Sequence, residues 1–196
     1  TYRGYVVYVA QQRGAVAVLM YADASDGGSL RGPAYPAGPW APDERLQRGS
    51  VGFDFIAPGD PLTPGRPSQP GIPRASKHDA PAVPSIMSVP ISTRDARTIV
   101  GALRSGEVTL HVRVVNDEPI QPIWTVIGRI NGSVFPDEWV LAGNHRDAWL
   151  YGGVDPSSGT AAMMELASTL SALTRGGWRP KRSIVFASWD AEEFTL

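Results

Sequence analysis

The sequence predicts an α/β fold in two consecutive units. Three observations carry that prediction. Strand-like segments alternate with one long helical segment in residues 119–196, a smaller mixture of helix and strand patterns occupies 1–118, and a polar break, Asn116-Asp117-Glu118-Pro119, lies between them. The chain has 196 residues, 42% of them hydrophobic, enough to bury one or two small cores.

In the first unit, Tyr5 to Gln12 has apolar residues near helical spacing, and Gly14 is placed to stop a helix. Ala15 to Tyr21 is a continuous apolar run of strand length. Thirteen of the eighteen prolines then fall between Pro33 and Pro90, which predicts a long loop. Such a span is either a disordered linker or a loop-rich insertion held by its neighbours, and Trp40, Phe53, Phe55 and Ile56 favour the ordered form. Ala82 to Val89 reads as a short buried strand. Ser92 caps a helix whose residues Ala96, Ile99, Val100 and Leu103 share one face. Val108, Leu110, Val112 and Val114 alternate with polar residues and predict a half-buried strand.

In the second unit, Ile123 to Ile130 is rich in β-branched residues and is followed by the turn signal Asn131-Gly132. Trp139 to Ala142 reads as a strand, Gly159 to Leu173 as a helix ended by Gly176-Gly177, and Ser183 to Ala187 as a buried strand. Asp190 is placed to cap a further helix.

Composition excludes several classes. Eighteen basic residues against nineteen acidic ones give a net charge of −1 and no basic run suited to nucleic acid. No segment reads as a membrane span or a signal peptide. With no cysteine, thiol and Cys-based zinc chemistry are excluded, and His and carboxylates are left as the strong metal ligands.

Three polar clusters fall at predicted strand ends in the second unit: Gly143-Asn144-His145-Arg146-Asp147, Gly152-Gly153-Val154-Asp155-Pro156 and Asp190-Ala191-Glu192-Glu193. Each alone has an ordinary explanation: a hydrogen-bonded histidine, a turn, an acidic first helical turn. Together they offer one imidazole and several carboxylates where α/β sheets gather function. These donors suit zinc, and a carboxylate can bridge two ions. Neighbouring glutamates on a helix point about 100° apart, so one can ligate while the other acts as a base.

These segments, with Ala148-Trp149, Pro156-Ser157-Ser158-Gly159, Gly177-Trp178-Arg179-Pro180 and Ala187-Ser188-Trp189-Asp190-Ala191-Glu192-Glu193-Phe194, resemble glutamate carboxypeptidase II and its bacterial relatives. The ten-residue step from His145 to Asp155 and the 38-residue step from Asp155 to Glu193 agree with that family's zinc-site spacing. The resemblance implies a co-catalytic pair of zinc ions: His145 on one, Asp155 bridging, Glu193 on the other, and Glu192 as general base. Arg146 and Asp147 either orient the ligating histidine or pair on the surface. Residues 1–118 resemble the family's protease-associated domain, through Gln47-Arg48-Gly49-Ser50 and Gly59-Asp60-Pro61-Leu62-Thr63-Pro64-Gly65. Residues 119–196 resemble the first part of its zinc-exopeptidase sheet domain. The backbone oxygens of Thr63 and Arg66 match positions that help hold a structural calcium in the family, although from the sequence alone a Pro- and Gly-rich turn is the better reading of that segment. Ser50 replaces a substrate-contacting Asn, a departure that bears on selectivity for C-terminal glutamate.

The resemblance further implies peptide substrates, a homodimer formed by the full-length parent, and an extracytoplasmic location. The family uses a further Asp and His as ligands, so the chain is expected to be a fragment that is inactive alone. The alternative is a non-catalytic binding protein like the transferrin receptor, which shares the architecture. His78 and His111 are expected to be structural or solvated.

Overall fold

The computed structural model describes residues 2–195. It is a mixed α/β structure that divides into two compact units, Thr1–Glu118 and Pro119–Leu196.

Unit 1 opens with helix α1 (Arg3–Gln12) and strand β1 (Ala17–Met20), joined through Gly14 at φ +80°. β1 pairs in parallel with β2 (Met87–Pro90), from Ala17 opposite Met87 to Met20 opposite Pro90. Helix α2 (Thr93–Leu103) follows. The Ser92 side chain accepts from the Asp95 N–H and so fills a donor that the first helical turn leaves open. The core forms where α1 meets the Pro-rich loop: Val7 and Phe53 are almost fully buried with Ala82, and Tyr8, Val18 and Ile86 pack on them. Tyr8 meets Phe53 and Phe55 edge-on, at centroid distances of 5.2 and 5.4 Å. The loop is therefore an ordered insertion that supplies half of its own core. Gly4 lets it approach, since a Cβ there would lie 2.5 Å from the Gly52 carbonyl. Ion pairs from Arg94 to Glu44 and from Arg97 to Asp43 tie it to α2.

Two expectations are corrected here. The strand near residue 82 starts at Met87 and is half-exposed, because Ala82 is committed to Phe53, whose N–H bonds to the Ala82 carbonyl at 2.8 Å. Val108 to Val114 forms no strand. Alternation specifies a face but not a partner, and no described strand offers this segment a ladder. Its continuation is held instead by an ion pair between Glu118 and Lys77.

Unit 2 contains β3 (Val126–Ile130), β4 (Phe135–His145), α3 (Ser157–Arg175) and β5 (Arg182–Trp189). The sheet order is β3-β5-β4, with β5 antiparallel to β3 and parallel to β4. β4, α3 and β5 thus make a parallel crossover, which requires a connection of helical length. Asn131-Gly132 does not close a hairpin, because β5 lies between β3 and β4. Gly132 instead passes against the Lys181 carbonyl, 2.7 Å from where a Cβ would sit. Ser183, fully buried, joins the three strands here: its hydroxyl donates to the Pro136 carbonyl at 2.6 Å and accepts from Arg129 and the Gly132 N–H. β5, as the central strand, buries Val185, Phe186 and Ala187. No helix among the described residues is long and apolar enough to cross a membrane.

Candidate metal centre

Because β4 and β5 run parallel, they end on the same edge of the sheet, with His145 opposite Trp189. The residues after each strand therefore emerge side by side, while α3 brings Asp155 to the same edge from the residues before its first turn. One donor atom from each of His145, Asp155 and Glu193 lies within 4.8 Å of the other two. His145 Nε2 is 2.9 Å from Asp155 Oδ1, and His145 Nδ1 is 3.6 Å from Glu192 Oε2. The side chain of His145 is only 14% exposed, whereas those of Asp155 and Glu192 are 75% and 56% exposed. A recessed imidazole is thus rimmed by open carboxylates. Burial opposes its protonation, but the Glu192 charge and bonds to Asp147 and Asp155 outweigh that, and its pKa lies above the usual value. Ligation needs the neutral ring, so protons and a cation compete for this position.

Asp147 organises the cluster. Its carboxylate accepts from the N–H groups of Glu192 and Glu193, at 3.1 and 3.0 Å, and its Oδ1 lies 3.4 Å from His145 Nδ1. The Asp147 side chain thus fixes the turn that carries the glutamates, while its backbone carbonyl, 3.1 Å from His145 Nδ1, holds the ring more closely than its carboxylate does. That turn is a single 3₁₀ turn, Glu192–Phe194, flanked by Ala191 and Thr195 at φ 64° and 71°. Asp190 does not cap it, contrary to expectation. Its Oδ1 accepts from the Ala191 N–H, and its Oδ2 takes the Arg146 guanidinium at 3.0 Å. Of the two readings left open for Arg146 and Asp147, Asp147 meets the histidine and Arg146 pairs with Asp190.

Sequence reasoning placed Asn144 in a polar cluster without giving it a role, and missed Thr160. The Asn144 amide reaches the carbonyls of His145 and Pro156 and the Thr160 hydroxyl, which itself donates to the His145 carbonyl at 2.8 Å. These bonds pin the strand end to α3. A polar residue facing a helix from within an apolar strand was the available signal. Gly159 admits this contact, since a Cβ would fall 2.6 Å from Asn144 Oδ1. Trp149 packs against Phe194, with ring centroids 5.0 Å apart and planes tilted by 51°, at the end of the glutamate turn.

The remaining candidates lie in unit 1. The Ser50 hydroxyl accepts from the Gly52 N–H at 3.1 Å. Thr63 is buried, its carbonyl accepts from the Arg66 N–H at 3.0 Å, and its hydroxyl, which donates to Asp60 Oδ2 at 3.2 Å, also lies 3.4 Å from the Arg66 carbonyl. Both oxygens named for calcium therefore belong to one closed turn. His78 is 97% exposed beside Asp79, and His111 is exposed.

Residues 125–196 match the model of peptidase family M28. Over its whole length the chain is 40% identical to a probable glutamate carboxypeptidase (LAMP1) of Arabidopsis thaliana and 42% identical to one of Arthroderma benhamiae. Over 99% of its length it is 36% identical to the aminopeptidase NAALADL1 of Mus musculus. Residues 125–196 thus resemble an M28 peptidase segment, and the chain as a whole is similar to probable glutamate carboxypeptidases and a related aminopeptidase. It spans only 30%, 31% and 30% of the lengths of these three relatives. The M28 match begins one residue before β3 and contains His145, Asp155, Glu192 and Glu193, while the similarity to the named relatives extends through unit 1 as well.

Proposed function

We propose that this chain is the part of a co-catalytic dizinc exopeptidase, of carboxypeptidase type, that supplies His145, Asp155 and Glu193 as zinc ligands and Glu192 as general base. The single observation that carries this reading is the convergence of those three donors at one sheet edge, with Glu192 against the same imidazole. One nitrogen and two carboxylates form a donor set that suits zinc. When bound, a zinc pair supplies Lewis-acid polarisation of the peptide carbonyl and of the attacking water.

The protein's own groups do the rest. Asp147 holds the His145 ring through Nδ1 and leaves Nε2 directed towards Asp155. The two backbone bonds from Glu192 and Glu193 to Asp147 fix the separation of the two glutamates, so one carboxylate ligates while the other stays free. Glu192 takes a proton from the attacking water and delivers it to the leaving amine, which balances the hydrolysis of one peptide bond. Unit 1 acts as the protease-associated domain and unit 2 as the start of the peptidase domain. On this reading the substrates are peptides, Ser50 contacts them, Thr63 and Arg66 support a structural calcium, and the full-length parent is an extracytoplasmic homodimer.

Were His145, Asp155 and Glu193 the only protein ligands for a zinc pair, three residues would serve two ions, fewer for each than a catalytic zinc usually has. The chain alone is therefore expected to bind zinc weakly and to turn over no dipeptide. Zinc titration calorimetry on the 196-residue chain, with His145→Ala and Asp155→Asn beside it and a dipeptide hydrolysis assay, tests this. Weak binding that both substitutions abolish supports the site. Binding indifferent to both removes it, and tight binding with turnover overturns the inactivity of the isolated chain.

A further inference from the structure

Ala191 adopts the left-handed backbone conformation, at φ 64° and ψ 23°, although it carries a Cβ and is buried. An L-residue enters that region at a cost, and it persists there when its surroundings hold it. The reversal of the chain begins at this residue. β5 ends at Trp189, and a continued extended chain would carry Glu192 roughly 10 Å beyond it, past the level of His145. Instead Glu192 Oε2 lies 3.6 Å from His145 Nδ1.

Two carboxylates answer the consecutive N–H groups of the reversal. Asp190 Oδ1 accepts from Ala191 at 3.0 Å, and Asp147 accepts from Glu192 and Glu193. Asp190 is itself fixed by Arg146. The Arg146 Nη2 donates to Asp190 Oδ2 at 3.0 Å and to the Trp124 carbonyl at 2.6 Å, while the Trp124 N–H donates to the same Oδ2 at 3.3 Å. The Arg146 N–H donates to the Trp189 carbonyl at 2.9 Å. The residues leading into β3, the end of β4 and the end of β5 therefore meet at one carboxylate. The two side chains of the pair are 37% and 21% exposed, and an ion pair so placed adds little to stability. Its effect lies in where it holds Asp190.

We infer that Arg146 and Asp190 are positioning residues for the glutamate pair: together they hold Ala191 in its left-handed conformation, which turns Glu192 and Glu193 towards His145. Arg146 acts through Asp190, and Asp190 through the Ala191 N–H. Asp147 secures the turn from its far side, so the turn is clamped at both ends. The consequence for metal binding rests on the zinc-site reading above, because the geometry being held is that of a ligand and its neighbouring base.

The test compares the intact chain with Arg146→Gln and with Arg146→Gln plus Ala191→Gly. In metal-free protein, amide exchange at residues 191–193 and the backbone chemical shifts of residue 191, which report the sign of φ, read the turn. Zinc titration reads the consequence. Arg146→Gln is expected to move Ala191 out of the left-handed region and to speed exchange at Ala191, Glu192 and Glu193, with Val185–Ala187 unchanged. Zinc binding should weaken about tenfold, the lower end for a group that supports a ligand. Glycine enters the left-handed region freely, so adding Ala191→Gly should restore zinc binding to within about threefold of wild type, a rescue that the mere loss of a surface ion pair would not give. If Arg146→Gln fails to fold, Asp190→Asn takes its place with the same expected signs, since its amide has one accepting oxygen for the Ala191 and Trp124 N–H groups instead of two. An unchanged turn in the metal-free variant, unchanged zinc binding despite a loosened turn, or a double variant that binds no better than the single one would each overturn the inference. Zinc binding indifferent to His145→Ala would fail the zinc reading instead, and the metal-free exchange and shifts would then decide the clamp by themselves.

Discussion

Two acidic sites in this chain are built in opposite ways. At Asp60 in unit 1 the acid is answered from its own loop: Oδ1 accepts from the Leu62 N–H at 2.9 Å, and Oδ2 from the Ser68 and Thr63 hydroxyls at 2.5 and 3.2 Å, with Arg74 3.9 Å away. At the end of β4 and β5 in unit 2, the Asp155 and Glu192 side chains are largely exposed, and their close partner is His145. A carboxylate whose lone pairs are filled locally closes a loop. One that keeps them open beside an imidazole is available to a cation or a proton. The number of acidic residues does not separate the two sites; the supply of nearby donors does.

The comparison is broken most directly at the imidazole. His145→Ala is expected to lower zinc affinity by more than about a hundredfold, beyond the range for a supporting partner, while unit 1 keeps its hydrogen-exchange protection. A titration in which the variant binds as the wild type does would show that the open acids need no histidine.

Asp60→Asn probes the closed site. It should destabilise unit 1 by about 2 kcal/mol, because one of the oxygens accepting from Leu62, Thr63 and Ser68 becomes a donor. Zinc affinity should be unchanged. Burial works against ionisation of Asp60, but bonds from Ser68, Leu62 and Thr63 and the charge of Arg74 outweigh it, so its pKa in the fold is lowered. Its contribution to stability is therefore present above the unfolded value of about 3.9 and is lost as pH falls through the lower folded value. Acid unfolding monitored by exchange in unit 1 should show this loss in the wild type and not in the variant.

Asp147→Asn sharpens the contrast, since Asp147 belongs to both classes: it is answered by two backbone N–H groups and also serves the open cluster. An amide offers one accepting oxygen instead of two. Zinc affinity is expected to fall roughly tenfold, with faster exchange at the Glu192 and Glu193 amides. Affinity loss without faster exchange would mean that the two roles are separate.

The smallest effect is expected at the α2 cap. Ser92→Ala removes the bond to the Asp95 N–H and should cost about 1 kcal/mol in unit 1, read as a lower melting temperature with zinc binding untouched.

The sequence by itself determined the class of the fold, the three α-helices, most strands and the residue types that gather at the candidate metal centre. Those features are local: Ser92 caps its own helix, and the steps between His145, Asp155 and Glu193 are covalent distances along the chain, whereas the apolar face read for α2 is buried only at Ala96, with Val100 and Leu103 exposed. The tertiary structure decided what depends on partners far apart in sequence. It inserted β5 between β3 and β4, denied a ladder to Val108–Val114, and gave the cap expected of Asp190 to Asp147, more than forty residues earlier. It also set Asn144 against Thr160 and left Arg3 Nε buried without a hydrogen-bond partner among the described residues. Hydrogen-bond donors and acceptors are written in the sequence, but which of them meet is fixed only when strands end on a common edge and loops fold back over their own cores.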